Sequence, residues 1–309
     1  MRATVLAGGT GGAKLAAGMQ DLLGAQLSVI ANTGDDTDAL GVPVSPDPDL
    51  ITYWLSGEID EERGWGIRGD TFTVFERLVA LGEPDWFQLS DRDLATCLRR
   101  RHLLDDGMRP TDAQARIATA LGVSARVLPM SDAPVHTRVR TAEGWREFQR
   151  YLILDRAEPP IEAVEFEGVE RSAPTPEVIE ALADADAIVI GPSNPVISIG
   201  AILAVPGMRE AIAATPAPVV AVSPFVAGRA IKGPTESFMQ AIGQRPSAAG
   251  VAATYGELLD GLVVDTGDPN PPPERPRSLA IPTLMDRPDA RREVAERTLE
   301  FASALSGSG

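Results

Sequence analysis

The sequence is poor in the residues that form disulfides and transition-metal sites. It has one cysteine, Cys97, and two histidines among 309 residues. A single cysteine excludes a disulfide within the chain and is typical of a reducing compartment. One thiol and two imidazoles make a tetrahedral zinc site improbable. We therefore expect a cytoplasmic protein without structural zinc.

Positive charge is also scarce. The chain has 28 lysines plus arginines against 44 acidic residues, a formal net charge of −16, and its only lysines are Lys14 and Lys232. This balance argues against a nucleic-acid-binding surface. Because arginine supplies nearly every other positive charge, the two lysines are candidates for positions that need a compact ammonium group. The alternative is that they are left by chance.

Long apolar runs are missing as well. No run approaches the roughly 20 residues that a membrane-spanning helix needs, and Met1-Arg2 leads into an apolar run without a signal-peptide pattern. The hydrophobic fraction of 44% is that of an ordinary globular protein long enough for one large core or two modest ones. We expect no membrane partner.

The first fifteen residues contain the clearest motif. Residues 4–7 predict a buried parallel strand, Gly8-Gly9-Thr10-Gly11-Gly12 a tight turn, and the residues from Ala13 a helix. Backbone N–H groups at such a helix start bind anions, most often phosphate, and Lys14 adds a cation. The spacing is neither Walker A nor G-x-G-x-x-G. The alternative is a glycine turn that serves only strand–helix packing.

Carboxylates follow the second predicted strand, 27–31. A pool of five lies on the next two turns: Asp35, Asp36, Asp38, Asp47 and Asp49. Magnesium prefers such oxygen ligands and commonly shares them with substrate phosphates. Aspartate also caps helices and forms turns, so we expect one or two of these side chains to contact metal or ligand.

The remaining pattern predicts an α/β fold: a Rossmann-like, mostly parallel sheet with flanking helices, a helical insertion and a small antiparallel β region. The core is predicted at 1–71 and 172–285, the insertion at 72–171 and a C-terminal helix at 286–309. Within the insertion, helices are expected after Thr71, from Ser90 and from Pro110 with Thr111 as cap. Short strands of antiparallel or edge character are expected at 125–129, 136–141, 151–154 and 161–166.

Later strands should place more polar loops at the same sheet edge. Strands are predicted at 186–190, 218–222, 262–264 and, after a proline connection at 271–273, at 279–282. Ser193 and Asn194 follow the first of these strands, and Lys232 lies in a glycine-rich turn after the second. Because the carboxyl ends of parallel strands meet at one edge, we expect these loops to converge with the glycine turn.

Taken together, eight loop motifs resemble the 2-phospho-L-lactate transferase family (the CofD or FbiA type). In chain order they are AGGTGGAKL, NTGDD, SPDPD, GWGIRGDT, SDRDLAT, LPMSD, GPSNPVISIG and AIKGP. The resemblance runs from about Met1 to Asp268. One departure is Cys97, where the family often has histidine, and we interpret it as a packing variation within a helix.

The resemblance implies a Mg²⁺-dependent, usually dimeric transferase of coenzyme F-420 biosynthesis. It would move a phosphoenolpyruvyl or 2-phospholactyl unit from a guanosine diphosphate conjugate to the ribityl hydroxyl of 7,8-didemethyl-8-hydroxy-5-deazariboflavin, releasing GMP. The pocket residues do not identify the acid, but the arginine- and alanine-rich composition suggests a GC-rich bacterium, where the enolpyruvyl version is expected. Another nucleotide- or sugar-phosphate transferase, or a non-catalytic GDP-binding regulator, are the alternatives.

Roles for single residues follow from combining the resemblance with the motifs. By resemblance, Asp49 and Arg92 match positions that hold the deazaflavin. Asp49 is also the predicted catalytic residue and, with Asp35 and Asp36, a predicted Mg²⁺ ligand. The residues assigned to the guanosine diphosphate are Gly9, Thr10, Gly11, Gly12, Lys14, Ser193, Asn194 and Lys232.

Overall fold

The computed structural model describes residues 1–270 and 272–306. Pro271, in the predicted proline connection, and residues 307–309 of the predicted C-terminal segment lie outside them. In chain order the strands are β1 (Ala3–Ala7), β2 (Leu27–Ala31), β3 (Thr37–Ala39), β4 (Val42–Val44), β5 (Arg126–Pro129), β6 (His136–Thr141), β7 (Gly144–Glu147), β8 (Ala163–Glu167), β9 (Ala187–Ile190), β10 (Val219–Val222), β11 (Phe225–Val226), β12 (Arg229–Ala230), β13 (Gly261–Asp265) and β14 (Arg277–Ile281).

The helices alternate with these strands over most of the chain. They are α1 (Gly9–Leu23), α2 (Pro46–Ser56), α3 (Thr73–Ala80), α4 (Asp91–Asp105), α5 (Pro110–Ala120), α6 (Phe148–Ile153), α7 (Pro176–Ala183), α8 (Ile199–Ala204), α9 (Met208–Ala213), α10 (Thr235–Ala241), α11 (Ala248–Tyr255) and α12 (Pro288–Ser306). Among the described helices, none is both long and apolar enough to cross a bilayer.

A seven-stranded sheet forms the centre of the molecule, in the order β14-β13-β10-β9-β1-β2-β5. Neighbouring strands pair in parallel throughout. Starting from β1, the chain first adds β2 and β5 on one side. It then returns to add β9, β10, β13 and β14 on the other side of β1. The strand order therefore reverses between β1 and β9, and an open α/β sheet binds ligands at the carboxyl ends of the strands at such a reversal.

Each face of the sheet carries its own hydrophobic cluster. Successive residues of β1 alternate between them, because Val5 packs with one cluster and Leu6 with the other. Both faces are covered by helices, which explains why the central strands are continuous apolar runs. The predicted α/β architecture is confirmed, and the small sheet β7-β6-β8 provides the predicted antiparallel region.

The edge character predicted for the strand at 125–129 is confirmed, whereas the strand predicted at 151–154 is wrong. The segment at 125–129 is β5, which pairs in parallel with β2 as an edge strand of the central sheet. Its Val127 and Leu128 are buried in the opposite clusters, as in a strand covered on both faces. The segment at 151–154 lies mainly in helix α6, because Phe148 and Tyr151, three residues apart, turn to the same core.

Other details of the insertion agree more closely with the prediction. Helix α4 begins after Ser90, as expected. Helix α5 begins at Pro110, as expected, but its N-cap is Arg109 and not Thr111. Thr111 lies in the first turn, where its N–H and hydroxyl donate to Asp132. Because β5 belongs to the central sheet, the range 72–171 includes part of the core, and the predicted division into domains stays a prediction.

Candidate functional site at the strand-order reversal

The glycine loop after β1 and the loop after β9 lie against each other at the reversal. The backbone N–H of Gly8 donates to Ser193 Oγ at 3.0 Å. A Cβ added at Gly11 would lie 2.2 Å from the carbonyl oxygen of Pro192, and one at Gly12 would lie 2.5 Å from Ser193 Oγ. Any side chain at these two glycines would force the loops apart. Close packing is therefore a real function of the glycine turn.

The same loops form the wall of a cavity of about 700 Å³, which we call the switch-point cavity. Nine of the predicted site residues line it: Gly9, Thr10, Gly11, Lys14, Asp35, Asp49, Ser193, Asn194 and Lys232. Gly12, Asp36 and Arg92 do not line it. Within the glycine loop, Gly9, Thr10 and Gly11 therefore face the cavity, whereas Gly12 is buried behind its wall and serves packing.

The cavity wall contains two chemically different sets of residues. The glycine loop, Ser193, Asn194 and the two lysines supply N–H groups, hydroxyls and cations, and we call this set the glycine-loop end. The second set is apolar and mostly aromatic, and we call it the aromatic end: Tyr53, Trp65, Trp86, Phe87, Phe148, Leu152 and Ile153. Such a wall combines sites for an anion and for a flat apolar ring.

Ser193 and Asn194 are already held by the backbone. Ser193 Oγ accepts the Gly8 N–H, and Asn194 Oδ1 accepts the N–H groups of Val196 and Ile197 at 2.9 and 3.3 Å. These bonds fix the loop after β9 before any ligand arrives. Side chains held in place in this way lose little order on binding.

The two lysines approach the cavity from different elements. Lys14 lies on α1, and burial, Arg291 and Lys232 lower its pKa, in that order of importance. Lys232 lies on the loop after β12, with its Nζ 2.1 Å from the position that a Cβ of Gly64 would take. Gly64, at φ +80°, therefore leaves the space that the Lys232 ammonium group occupies. The mutual repulsion of the lysines favours an anion between them.

Asp47, one of the five acidic residues predicted on the two turns after β2, also lines the cavity, although no individual role was predicted for it. Its Oδ1 accepts the Gly9 N–H at 2.7 Å and its Oδ2 accepts from Asn32 Nδ2 at 2.9 Å. It thus joins the start of α1, the start of α2 and the loop after β2. Burial raises its pKa. The signal available in the sequence was its place in the first turn of α2, beside a predicted phosphate loop.

Asp35 is buried and Asp36 half-buried, and the hydrogen bonding of both carboxylates is incomplete. Burial, reinforced by the charge of Asp47, raises the pKa of Asp35 well above its ordinary value, and burial raises that of Asp36 to about 8. Within the described part of the chain, Oδ1 of each finds no hydrogen-bond partner. Buried carboxylate oxygens without partners are costly unless a cation neutralises them. Asp35, which lines the cavity, offers an oxygen ligand suited to a hard divalent cation, whereas Asp36 does not line it and its Oδ2 accepts from the Ser45 hydroxyl.

Asp49 has a different environment. Both of its oxygens accept from the guanidinium group of Arg100 on α4, with the NH1–Oδ2 distance at 2.9 Å, and both side chains are buried. Arg100 also approaches Gln114 Oε1 at 3.5 Å. A carboxylate bound at both oxygens by arginine is poorly suited to hold a metal ion. Its predicted catalytic and ligand-binding roles stay predictions.

Asp93 is a second cavity residue that the sequence analysis did not single out. Its Oδ1 accepts the Tyr53 hydroxyl at 2.8 Å, and burial, with the charge of Asp49, raises its pKa to about 7. Asp49, Asp93 and Cys97 are close enough together to suggest a metal site. Burial raises the pKa of the Cys97 thiol, however, and Arg100 occupies Asp49, so this trio fits a metal poorly.

Arg92, the predicted deazaflavin contact, lies on the outer side of the start of α4. Its NH2 donates to the Arg68 carbonyl at 2.9 Å and its Nε lies 3.5 Å from Asp70 Oδ1, with 56% of the side chain exposed. The structure thus places it away from the cavity wall. Asp93, the next residue, faces the cavity instead.

Known proteins resemble this chain over nearly its whole length. A family model described as "2-phospho-L-lactate transferase CofD" matches residues 3–297. A phosphoenolpyruvate transferase from Kitasatospora aureofaciens is 40% identical, covering 99% of each chain. A 2-phospho-L-lactate transferase from Methanosarcina mazei is 41% identical, covering 85% of this chain and 87% of its own. A crystal structure of a UPF0052-family protein from Bacillus halodurans, 19% identical, shares the fold with a TM-score of 0.64, covering 96% of this chain and 98% of its own.

Proposed function

The chain belongs to the CofD family of 2-phospho-L-lactate transferases, and we propose that its donor is a guanosine diphosphate conjugate. In this proposal a phosphoenolpyruvyl or 2-phospholactyl unit moves to the ribityl hydroxyl of 7,8-didemethyl-8-hydroxy-5-deazariboflavin, a step of coenzyme F-420 biosynthesis. The observation that supports it is the switch-point cavity, which combines an anion site with an aromatic wall at the strand-order reversal.

The glycine-loop end suits the diphosphate of the donor. The first-turn N–H groups of α1 beyond that of Gly9, which donates to Asp47, supply donors, and Lys14 and Lys232 supply positive charge in a protein whose net charge is −16. Local cations are needed here because the overall field of the molecule repels anions. The aromatic end suits the deazaflavin, because a flat tricyclic ring stacks on Trp and Phe side chains.

Group transfer requires an in-line arrangement and charge neutralisation more than covalent help from the protein. The acceptor hydroxyl oxygen forms a bond to the phosphorus that carries the acid unit. The bond from that phosphorus to the oxygen bridging to GMP breaks, and GMP leaves with the electron pair. Mg²⁺, held by Asp35 and Asp36 in this proposal, would neutralise phosphate charge when bound.

The hydroxyl proton needs an acceptor at the aromatic end. Two carboxylates of the cavity lie beside Tyr53: Asp49 is bound at both oxygens by Arg100, whereas Asp93 forms no ion pair with any described residue. With its pKa raised to about 7 by burial, Asp93 is suited to accept a proton near neutral pH. We therefore assign proton acceptance to Asp93 and the orientation of the acceptor to Asp49.

The first test is a deazaflavin fluorescence titration of the purified protein, with and without GDP and Mg²⁺. Saturable, stoichiometric binding is expected, followed by GMP release when each guanosine conjugate is supplied. GDP binding without deazaflavin binding would indicate another nucleotide- or sugar-phosphate transferase. Binding of both without turnover of any conjugate would indicate a non-catalytic regulator. Homodimerisation, part of the same proposal, is tested by sedimentation equilibrium.

A further inference from the structure

One buried tryptophan of α2 lies beside two cations from distant parts of the chain. The Nζ of Lys14 is 5.5 Å from the centroid of the Trp54 ring, and the Cζ of Arg291 is 4.8 Å from it. Trp54 is 5% exposed, and its indole N–H donates to none of the described residues. Packing and the two cations therefore hold the ring in place.

Arg291 is fixed from two sides. Its carbonyl oxygen lies 2.4 Å from the position that a Cβ of Gly18 would take, so α1 and α12 cross there in backbone contact. Its NH1 donates to Glu61 Oε2 at 2.9 Å, and only 10% of its side chain is exposed. A planar guanidinium group can make this ion pair and stack on an aromatic ring at once.

We propose that Arg291, on the C-terminal helix, is a positioning residue for Lys14 at the start of helix α1. It holds the Trp54 ring against which Lys14 lies and places a second positive charge behind the glycine-loop end. This inference rests on the proposed function, because it takes a nucleoside diphosphate as the anion that this end receives. It gives the C-terminal helix an indirect part in ligand binding, through Trp54 and Lys14.

The charges around Lys14 agree with this arrangement. The positive charges of Arg291 and Lys232, together with burial, lower its pKa, whereas Glu61 and Asp286 act in the opposite direction. Three cations are thus held close together with two carboxylates near them. A diphosphate relieves the repulsion among the cations, so their assembly before binding strengthens anion binding.

The first measurement uses the scarcity of lysine. Because Lys14 and Lys232 are the only lysines, protein labelled with ¹³C-lysine gives two side-chain ε-signals, and Lys232→Arg assigns them. Arg291→Gln is expected to raise the pKa of Lys14, since a positive charge beside it is lost. Arg292→Gln removes the same charge from an exposed position one residue on and is expected to leave that pKa nearly unchanged. Equal shifts in both variants would overturn the inference.

The second measurement is GDP affinity by calorimetry in a double-mutant cycle. Arg291→Gln is expected to weaken GDP binding roughly tenfold in the natural chain and less than twofold in a Lys14→Ala background. Arg291→Lys, a milder change that keeps the charge, is expected to weaken it roughly threefold and serves if Arg291→Gln does not fold. Unchanged affinity in a folded Arg291 variant overturns the inference. Failure of the unmodified protein to bind GDP overturns the proposed function instead, while the Lys14 titration still decides the positioning role.

Discussion

At the scale of single residues, the buried ion pair between Asp49 and Arg100 limits which substitutions the wall of the switch-point cavity tolerates. Both groups are buried, and removing one partner leaves the other charged without compensation. Asp49→Asn is therefore expected to lower the free energy of unfolding by about 3 kcal/mol and to reduce transfer strongly while GDP still binds. Urea unfolding and GMP release measure the two effects.

An exposed pair of the same chemistry provides the control. Asp38 lies 3.5 Å from Arg101 with 79% of its side chain exposed, and such pairs contribute at most about 1 kcal/mol. Asp38→Asn should therefore leave stability and turnover nearly unchanged. The double variant Asp49→Leu with Arg100→Met should recover stability but not transfer. If Asp49→Asn retained normal turnover, the role of Asp49 in the acceptor site would be wrong.

Asp93 makes the stability of the protein depend on pH. Its pKa is raised from 3.8 to about 7 in the folded chain, so between these values the folded form holds a proton that the unfolded form has lost. The contribution of this group is fully present below pH 4 and is lost as the pH rises through 7, at about 1.4 kcal/mol per pH unit within that window.

The variant Asp93→Asn should flatten that part of the pH–stability curve, measured by urea unfolding from pH 4 to 8. Asp36, whose pKa is raised to about 8, acts in the same direction and leaves a residual slope. The exposed Asp21→Asn serves as the control and should reproduce the original curve. An unchanged slope in Asp93→Asn would mean that this carboxyl ionises normally.

At the scale of elements, the glycine loop carries a sharp steric constraint. Gly11→Ala would place its Cβ 2.2 Å from the Pro192 carbonyl oxygen, so the loops after β1 and β9 must separate. A loss of about 2 kcal/mol of stability and a clear fall in GDP affinity are expected. Thermal unfolding and calorimetry measure them.

The matched control is Gly41→Ala in the exposed turn between β3 and β4. Gly41 has φ +77° and nothing within 4 Å of an added Cβ, so it tests backbone strain alone. We expect a loss of about 1 kcal/mol and unchanged GDP affinity. Equal GDP affinity in both variants would show that the two loops do not need to touch for the site to form.

Helices and strands could be predicted where the local hydrophobic pattern indicates the same structure that the packing of the folded chain imposes. The strands β1 and β2 and the helix α12 were readable because apolar runs and helical periodicity mark them directly. The strand β5 was predicted with antiparallel or edge character and is an edge strand, but its parallel pairing could not be predicted, because four residues do not reveal the direction of their partner. Helix α6 was read as a strand because six residues are too few to separate the two periodicities.

At the scale of the whole molecule, the sequence identified the loops of the site but not their pairings. Lys14, Ser193 and Lys232 could be placed at one edge because parallel strands bring their carboxyl ends together. The contact of Arg100 with Asp49 spans 51 residues and that of Arg291 with Glu61 spans 230, and neither motif nor periodicity encodes such separations. For the same reason Asp93 and Arg92, adjacent in sequence, could not be told apart as cavity-facing and outward-facing.

Ligand binding at the strand-order reversal should stabilise the entire chain, because it joins loops from both halves of the sheet and the unfolded chain cannot bind. GDP at one hundred times its Kd contributes about 2.7 kcal/mol of stability. For a chain of 309 residues, with an unfolding entropy of about 2.1 cal/mol/K per residue, the melting temperature rises by about 4 °C. Lys14→Ala at the same GDP concentration should show a smaller rise. An unchanged melting temperature of the unmodified protein at saturating GDP would contradict the proposed guanosine diphosphate site.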